Sequence, residues 1–333
     1  MKKRIALLAG GYSGESVISI QSAKTIWDNL DPEKYEVFTL LIQKDGWWYS
    51  EVPWEKLLHF PVDKNDFSLH LPGRDIHFDA AFIAIHGTPG EDGKLQGYLE
   101  MLGIPFTSCG AITSAITFNK SFCNKVVGSL GGVRVSHSLH LFKDQPYEIA
   151  EILQQVHLPV FVKPNEGGSS IGMSKVNSPQ ELLPALEKAF LEDNQVLIEE
   201  FVKGREITCG LYQTSGRVIA LPLTEIISSN AFFDFEAKYS PGKSSEVTPA
   251  GISPLLTSRI KENSIRLFQK LNCRGMVRID YIIEENSDDI FFLEINTMPG
   301  QSIQSIVPQQ VRESGLSLQD FYSAIIEEVL NKS

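Results

Sequence analysis

Two apolar segments near the end of the chain carry polar residues at every second position. The first, Gly-Met-Val-Arg-Ile-Asp, contains Arg278 and Asp280, and the second, Phe-Phe-Leu-Glu-Ile-Asn, contains Glu294 and Asn296. Successive side chains of a β-strand point to opposite faces, so the two polar residues of each segment share a face. The pattern predicts two paired strands that present polar side chains on the floor of a β-sheet.

These polar side chains have the chemistry of a phosphoryl-transfer site. Asp280, Glu294 and Asn296 offer hard oxygen ligands, which suit Mg²⁺ bridging nucleotide phosphates. Arg278 beside them is able to stabilise charge that develops on a transferring group. An internal salt bridge between Arg278 and Asp280 is the alternative, because a charge in an apolar strand is costly unless it is paired or binds metal.

Composition and charge restrict the partners of this chain. Its 333 residues suffice for two or three domains, and its net charge is −11 with no local cluster of lysine and arginine. This balance disfavours nonspecific binding to nucleic acid or to an anionic membrane. The four scattered cysteines contain no CxxC pair, which disfavours zinc and a disulfide framework and favours free thiols in a reducing cytoplasm. We expect a cytoplasmic protein with neither nucleic acid nor a membrane as a partner.

Strands and helices alternate along the first part of the chain. Strands are predicted at 4–9, 37–42 and 80–85, and helices at 16–30 and 93–102. Further along, helices are predicted at 120–130 and 182–191, and strands at 160–164 and 196–202. The N-terminal alternation predicts a parallel α/β layer, in which ligands bind at the carboxyl ends of the strands. Glu15 and His86 each follow a predicted strand and are therefore candidates for the site.

A glycine- and serine-rich loop follows the strand predicted at 160–164. Gly167-Gly168-Ser169-Ser170 is able to present backbone N–H groups and hydroxyls to phosphate, although such a stretch is also typical of a simple turn. Lys163 ends the preceding apolar strand, where a lysine has no structural purpose, and this favours phosphate binding. Residues 228–250 have little apolar periodicity, and a loop of that length is usually a lid or disordered.

Two nucleotide-binding fingerprints are incomplete in this sequence. The glycine-rich stretch at 10–14 lacks the dinucleotide G-x-G-x-x-G pattern, which disfavours an oxidoreductase. Gly242-Lys243-Ser244 resembles the end of a Walker A loop, but Ala237 occupies the place of the first glycine. Nucleotide binding would therefore use a different kind of fold.

Six motifs spread over nearly the whole chain resemble those of the D-alanine–D-alanine ligases of the ATP-grasp superfamily, in the family's order. They are Gly10-Gly11-x-Ser13-x-Glu15, His86-Gly-x-x-Gly-Glu-Asp-Gly93, Lys163-Pro-x-x-Gly-x-Ser-Ser-x-Gly172, Glu236-Ala-Lys-Tyr239, Arg278-Ile-Asp280 and Glu294-x-Asn296-x-x-Pro-Gly300. The resemblance implies an α/β fold, α+β in parts, with three domains. The limits implied are 1–108 for an N-terminal α/β substrate domain, 109–199 for a central ATP-grasp domain, and 200–333 for a C-terminal ATP-grasp domain with the metal site and lid.

The resemblance also implies that ATP sits between two antiparallel sheets. The residues implied to bind ATP are Lys120, Lys163, Ser169, Ser170, Glu199, Glu200, Val202, Glu206 and Lys238. The residues implied to hold two Mg²⁺ ions, with Mn²⁺ as a substitute, are Asp280, Glu294 and Asn296. A homodimer is implied by the family alone.

Further residues are implied to bind and activate two D-alanine molecules. Glu15 would anchor the ammonium of the first D-alanine, and Ser169 and Tyr239 would hydrogen-bond to Glu15. Arg278 and the Gly300 backbone N–H would form an oxyanion site. The remaining substrate contacts implied are His86 near the first D-alanine, and Lys238 and Ser305 at the carboxylate of the second.

The implied reaction is ATP-dependent ligation of two D-alanines through an acyl phosphate, for peptidoglycan precursor synthesis. A D-alanine–D-lactate ligase, or a ligase for another carboxylate–amine pair, is the first alternative. D-lactate ligases of this superfamily often carry Phe or His at the position of Tyr239, so the tyrosine favours D-alanine. A non-catalytic nucleotide-binding module is the second alternative, but it would be expected to lose a metal ligand or Arg278.

Overall fold

The computed structural model describes residues 2–50, 59–168, 170–228 and 244–331. Within these residues the strands form three sheets. Three of the predicted site residues, Ser169, Lys238 and Tyr239, lie outside the described ranges, as does most of the predicted lid.

The first sheet contains the strands predicted in the N-terminal part of the chain. Its strands are β1 (Lys3–Gly10), β2 (Tyr35–Ile42), β3 (Trp47–Ser50), β4 (His59–Asp63), β5 (Ser68–Leu71), β6 (Arg74–Ile76) and β7 (Ala80–Ile83), in the spatial order β6-β5-β4-β3-β2-β1-β7. β1 pairs in parallel with β2 and β7, which confirms the predicted parallel layer. The strands beyond β2 pair antiparallel, because their connections are too short for a crossover. The alternation of strands and helices did not predict this extension.

One helix connects β1 to β2 within the first sheet, and three more helices follow β7. They are α1 (Ser16–Asn29), α2 (Lys94–Met101), α3 (Ala111–Phe118) and α4 (Lys120–Leu130). Asn119 separates α3 from α4, and its Oδ1 accepts a hydrogen bond from the Phe122 backbone N–H at 3.1 Å. This is a side-chain cap of the kind that starts helices, and it places Lys120 at the first position of α4.

The second sheet is antiparallel and has the spatial order β11-β10-β12-β9. After the short strand β8 (Arg134–Val135), its elements along the chain are β9 (Ser138–Phe142), α5 (Ile149–Gln155), β10 (Val160–Pro164), β11 (Ser174–Val176), a 3₁₀ turn (Pro179–Glu181), α6 (Leu182–Glu192) and β12 (Gln195–Glu200). Val160 and Val162 belong to a buried cluster with residues of α6. Because side chains alternate along a strand, Phe161 and Lys163 lie on the opposite face.

The third sheet contains the two strands predicted from the alternating segments near the end of the chain. Its order is β16-β15-β13-β17-β18-β8, with β14 paired to β13. The strands are β13 (Gly204–Thr214), β14 (Arg217–Ala220), β15 (Thr224–Ser228), β16 (Ser244–Val247), β17 (Met276–Glu284) and β18 (Ile290–Asn296). β17 and β18 are antiparallel neighbours, which confirms the predicted strand pair. The predicted domain limits stay predictions.

One face of the third sheet is covered by a helix. This is α7 (Pro254–Lys270), which begins at Pro254. The Oγ of the preceding residue, Ser253, caps the helix by accepting a hydrogen bond from the Leu256 backbone N–H at 3.3 Å. Ile279 and Tyr281 of β17 are buried in the same cluster as Leu267 of α7. The residues between and beside them, Arg278 and Asp280, are therefore on the opposite face of β17.

The end of the chain returns to the first sheet. After α8 (Ile306–Glu313), helix α9 (Leu318–Leu330) places Phe321 and Tyr322 in one buried cluster with Ile5 of β1 and Ile26 of α1. Phe321 also contacts Tyr212 of β13, with ring centroids 5.0 Å apart. This helix therefore links the first sheet to the third. Among the helices of the described ranges, none has the length and apolar character needed to cross a membrane.

We expect Phe321→Ala to lower the free energy of unfolding by about 3–5 kcal/mol, since it removes a large side chain from a fully buried contact between two sheets. Urea titration followed by circular dichroism would measure this change. The control is Leu191→Ala, because Leu191 is 82% exposed. It should change stability by no more than about 0.5 kcal/mol. Equal losses in the two variants would contradict the packing role of Phe321.

Candidate active site

The second and third sheets line a cavity of about 1980 Å³ together with loops that follow β1 and β7. Every predicted site residue within the described ranges lines this cavity. They are Glu15, His86, Lys120, Lys163, Ser170, Glu199, Glu200, Val202, Glu206, Arg278, Asp280, Glu294, Asn296, Gly300 and Ser305. The structure brings these residues to one place, while their individual roles stay predictions.

The floor of the cavity is the polar face of β17 and β18. In the register of these strands, Arg278 lies opposite Asn296 and Asp280 lies opposite Glu294. The ladder is irregular between Asp280 and Tyr281. The alternation of the sequence therefore gathers its four polar side chains on one patch of sheet.

Arg278 and Asp280 form an ion pair on this floor. The Arg278 Nη2 atom lies 2.6 Å from Asp280 Oδ2, and its Nε lies 2.9 Å from Oδ1. Burial alone would lower the pKa of Arg278, but the carboxylates of Asp280 and Glu294 raise it above its ordinary value. The salt bridge that the sequence left open as an alternative is present, and it holds a charged guanidinium at the cavity surface.

The same floor carries the predicted metal ligands. No group of three or more His, Cys, Asp or Glu side chains in the described parts of the chain is arranged to hold a metal ion. The predicted set consists of two carboxylates, Asp280 and Glu294, directly opposite each other, together with the Asn296 amide. Hard oxygen donors of this kind suit Mg²⁺, so the chemistry of the set fits the ion. Asp280 already pairs with Arg278, and Asn296 Oδ1 accepts from the Met298 backbone N–H at 2.8 Å.

A buried ion pair lies on the wall formed by the second sheet. Lys163 Nζ donates to Glu199 Oε1 at 3.0 Å, and both residues are buried. The second oxygen, Glu199 Oε2, accepts from Asn124 Nδ2 of α4 at 3.1 Å. The neighbouring carboxylate, Glu200, accepts from the backbone N–H of His157 at 2.8 Å. These contacts place one lysine and one carboxylate of the predicted ATP site within hydrogen-bonding distance of each other.

The glycine- and serine-rich loop closes another side of the cavity. Lys120 Nζ donates to the Gly167 carbonyl at 2.6 Å, so the start of α4 is tied to this loop. Gly168 faces Glu15, and a Cβ atom at Gly168 would lie 3.0 Å from Glu15 Oε1. The absence of a side chain thus allows the loop to approach the predicted ammonium anchor closely.

His86 is buried between the first sheet and the end of the third. Its Nε2 lies 2.9 Å from Ser22 Oγ of α1, and it also hydrogen-bonds to the Met298 backbone. Burial lowers the pKa of His86 below its ordinary value despite the nearby Glu15 carboxylate. The imidazole is therefore neutral near pH 7, and its polar atoms are held by the protein.

Glu91 is a residue of the cavity for which the sequence predicted no role. Its Oε2 accepts from the Gly87 backbone N–H at 2.6 Å. Burial and the Glu15 carboxylate raise the pKa of Glu91 to about 8. The carboxyl group is consequently protonated in much of the neutral range.

Some residues that hold the site in place had a weak signal in the sequence. Ser22 follows Glu15 by seven residues and Asn124 follows Lys120 by four, which are spacings that share a helix face. Ser13 lies in the glycine-rich motif that ends at Glu15, but the sequence predicted no role for it. Its Oγ accepts a hydrogen bond from the Glu15 backbone N–H at 3.3 Å. Helical spacing from a predicted site residue would have identified the first two.

Family models match both parts of the chain. The model for the D-ala D-ala ligase N-terminus matches residues 4–109, and the model for the D-ala D-ala ligase C-terminus matches residues 136–327. The chain belongs to the D-alanine–D-alanine ligase family. The resemblance deduced from the six motifs is therefore confirmed.

Individual relatives support the same family and fold. A D-alanine–D-alanine ligase from Parabacteroides distasonis is 46% identical over 330 residues, covering 99% of this chain and 98% of the relative. The solved D-alanyl-alanine synthetase A from Vibrio cholerae has a TM-score of 0.88 at 30% identity, covering 99% of this chain and 98% of its own. The D-Ala:D-Ser ligase VanG from Enterococcus faecalis has a TM-score of 0.87 at 30% identity, covering 98% and 99%. The predicted fold class, an α/β ATP-grasp fold, is confirmed by these neighbours.

The raised pKa of Glu91 predicts how stability depends on pH. Between its ordinary pKa of 4.5 and a folded value of about 8, the folded chain keeps a proton that the unfolded chain loses. The free energy of unfolding contributed by this group therefore falls as pH rises through that window. We expect Glu91→Gln, which has no titrating proton, to show a shallower decline between pH 5.5 and pH 7.5 than the wild type.

Urea unfolding at these two pH values would measure the difference. The matched control is Glu285→Gln, since Glu285 is exposed and lies outside the cavity. Its pH dependence should follow that of the wild type. A Glu91→Gln variant with the slope of the wild type would show that Glu91 titrates normally in the folded chain.

Proposed function

We propose that this chain joins two D-alanine molecules to D-alanyl-D-alanine, with conversion of ATP to ADP and phosphate, for peptidoglycan precursor synthesis. The observation that carries the proposal is the single cavity lined by Glu15, Lys163, Asp280, Arg278 and Gly300. These groups provide an ammonium anchor, phosphate contacts, oxygen ligands and an oxyanion site. Family membership supports the same activity.

ATP would lie between the second and third sheets. Lys120 and Lys163 would contact its phosphates, and the contact between Lys163 and Glu199 would keep that lysine oriented before the nucleotide binds. The base and ribose would meet Glu199, Glu200, Val202 and Glu206, which line the same cavity. Ser170, together with Ser169 outside the described residues, would contact the phosphates.

Mg²⁺, or Mn²⁺ in its place, would be held by Asp280, Glu294 and Asn296. The bound ion supplies Lewis-acid character and offsets negative charge on phosphate oxygens. The Asp280 carboxylate would then contact both the metal ion and the Arg278 guanidinium, with which it already pairs.

The first step forms an acyl phosphate. Glu15 holds the ammonium of the first D-alanine, and a carboxylate oxygen of that substrate attacks the γ-phosphorus of ATP. A new O–P bond forms while the bond between the γ-phosphorus and the bridging oxygen breaks, and ADP leaves with that electron pair. Lys120 and Lys163 balance charge on the transferred group.

The second step forms the peptide bond. The uncharged amine of the second D-alanine attacks the acyl carbon, and the carbonyl electrons move to its oxygen. Arg278 and the Gly300 N–H stabilise this oxyanion, and its collapse expels phosphate, which takes up the proton that the nitrogen loses. Loss of one such donor typically lowers the rate by roughly 10²–10³-fold.

Water must be excluded while the acyl phosphate exists, because hydrolysis would waste ATP. The segment at 228–250, with Lys238 and Tyr239, is our proposal for the lid. Lys238 and Ser305 would hold the carboxylate of the second D-alanine, and Tyr239 would complete the contacts of Glu15. A cytoplasmic homodimer is proposed from the family.

The identity of the second substrate is the finer part of the proposal. The same fold occurs in a ligase named for D-Ala and D-Ser, so overall architecture does not select the second substrate. Tyr239 in the Glu-Ala-Lys-Tyr motif favours D-alanine over D-lactate, which is the runner-up. The choice therefore depends on side chains at the second-substrate pocket.

An assay with defined substrates tests the activity. We expect ADP release to depend on D-alanine with ATP and Mg²⁺, and mass spectrometry to detect the D-alanine dipeptide. Parallel reactions containing D-alanine with D-lactate, D-serine or L-alanine should yield little mixed product. The absence of D-alanine-dependent ADP release would refute the proposal, and a dominant mixed product would refute the assignment of the second substrate.

Asp280→Asn tests the floor of the cavity. The variant loses the charge that pairs with Arg278 and that would bind Mg²⁺, so we expect turnover to fall by roughly 10²-fold or more. The control Asp288→Asn lies in the exposed turn between β17 and β18, at a positive φ that asparagine tolerates. It should retain activity. Circular dichroism would check folding, and normal turnover with normal Mg²⁺ dependence in Asp280→Asn would refute the metal assignment.

A further inference from the structure

The turn that carries Gly300 is held from inside by a buried glutamine. Gln301 is 1% exposed. Its Nε2 donates to the Pro299 carbonyl at 2.9 Å, and its Oε1 accepts from the Tyr322 hydroxyl of α9 at 3.1 Å. The side chain therefore connects the turn to the helix that packs on the first sheet.

Ser22 of α1 holds the other side of the same turn. Its fully buried Oγ accepts a hydrogen bond from the Gln301 backbone N–H at 3.0 Å, and it lies 2.9 Å from His86 Nε2. The His86 ring also hydrogen-bonds to the Met298 backbone, so Ser22, His86 and the Gly300 turn belong to one buried network.

These contacts fix both peptide planes around Gly300. The Gly300 N–H belongs to the same planar unit as the Pro299 carbonyl, so holding that carbonyl also sets the direction of the N–H. The next plane, between Gly300 and Gln301, is held through the Gln301 N–H by Ser22. A glycine has unusual backbone freedom, and the two contacts remove it at this position.

We propose that Ser22 and Gln301 are positioning residues for peptide-bond formation, because they hold the Gly300 N–H and the His86 ring in one buried hydrogen-bonded network. The inference rests on the proposed function, in which the Gly300 N–H faces the oxyanion of the second step. A donor stabilises a developing charge best when it is oriented before the reaction. Neither residue is proposed to contact the reacting atoms.

The two steps of the reaction should respond differently. The first step occurs at phosphorus and requires no donor at the acyl oxygen, whereas the second step develops charge on that oxygen. Loosening the Gly300 turn should consequently slow peptide-bond formation more than acyl phosphate formation. A general loss of structure would slow both.

Ser22→Ala and Gln301→Met remove the two anchors with little change in volume. Steady-state assays would give kcat and the KM for D-alanine. Positional isotope exchange in ATP, with an oxygen label in the β,γ-bridge, would report reversible acyl phosphate formation at the same D-alanine concentration. We expect kcat to fall by about tenfold or more while the exchange rate changes by less than about twofold. The ratio of exchange to turnover should therefore rise.

A matched control and a milder variant complete the experiment. Ser264 is also a fully buried serine on a helix, and its Oγ lies 2.8 Å from the Tyr281 hydroxyl, away from the cavity lining. Ser264→Ala should leave the ratio of exchange to turnover unchanged. Tyr322→Phe removes only the hydroxyl that donates to Gln301, so it should raise the ratio even if Ser22→Ala does not fold.

The outcomes separate this inference from the proposed function. A wild-type chain that forms no dipeptide would overturn both. If the wild type is active but the variants keep the normal ratio of exchange to turnover, only the positioning roles are overturned. The same holds if the variants lose exchange and turnover equally. A rise in the KM for D-alanine with unchanged kcat would also overturn them, because it would indicate a role in substrate binding.

Discussion

The ion pair between Arg278 and Asp280 sets the charge balance of the cavity floor. Either charge would be costly to keep in this partly buried place without the other, so the two side chains must be ordered together. Their strand is paired in register with β18, which puts Glu294 and Asn296 directly opposite them. The core behind β17, where Ile279 and Tyr281 are buried, keeps this ladder in place. The polar groups that the proposed chemistry requires therefore depend on one hydrogen-bonded strand pair.

On the other walls of the cavity, buried polar side chains are likewise paired with partners within the protein. Lys163 contacts Glu199, which also accepts from Asn124, and the neutral His86 contacts Ser22. Such networks orient side chains before a ligand binds, which reduces the reorganisation needed during a reaction. In the proposed function, phosphate binding at Lys163 would compete with an existing contact to Glu199. The side chains are thus oriented before a ligand binds, and a ligand must share their existing hydrogen-bond partners.

Much of this arrangement could be predicted from local patterns. Alternation in the two C-terminal segments predicted the strand pair, and apolar runs predicted β1, β2 and β7. The glycine-rich motifs indicated the loops that line the cavity, and their order indicated the family. The antiparallel strands β3–β6 were missed, because short strands joined by tight turns lack a distinct apolar run. The packing of α9 on the first sheet was missed as well, since the periodicity of a helix does not specify its partner.

The sequence by itself determined which side chains share a strand face or a loop, because these follow from the period of the backbone and from residue type. Only the tertiary structure decided which side chains meet across the cavity. It paired Lys163 with Glu199 of another strand, and it brought Ser22 and Gln301 together although they lie at opposite ends of the chain. Contacts of this kind depend on strand register and on how sheets and helices pack. No short stretch of residues contains that information.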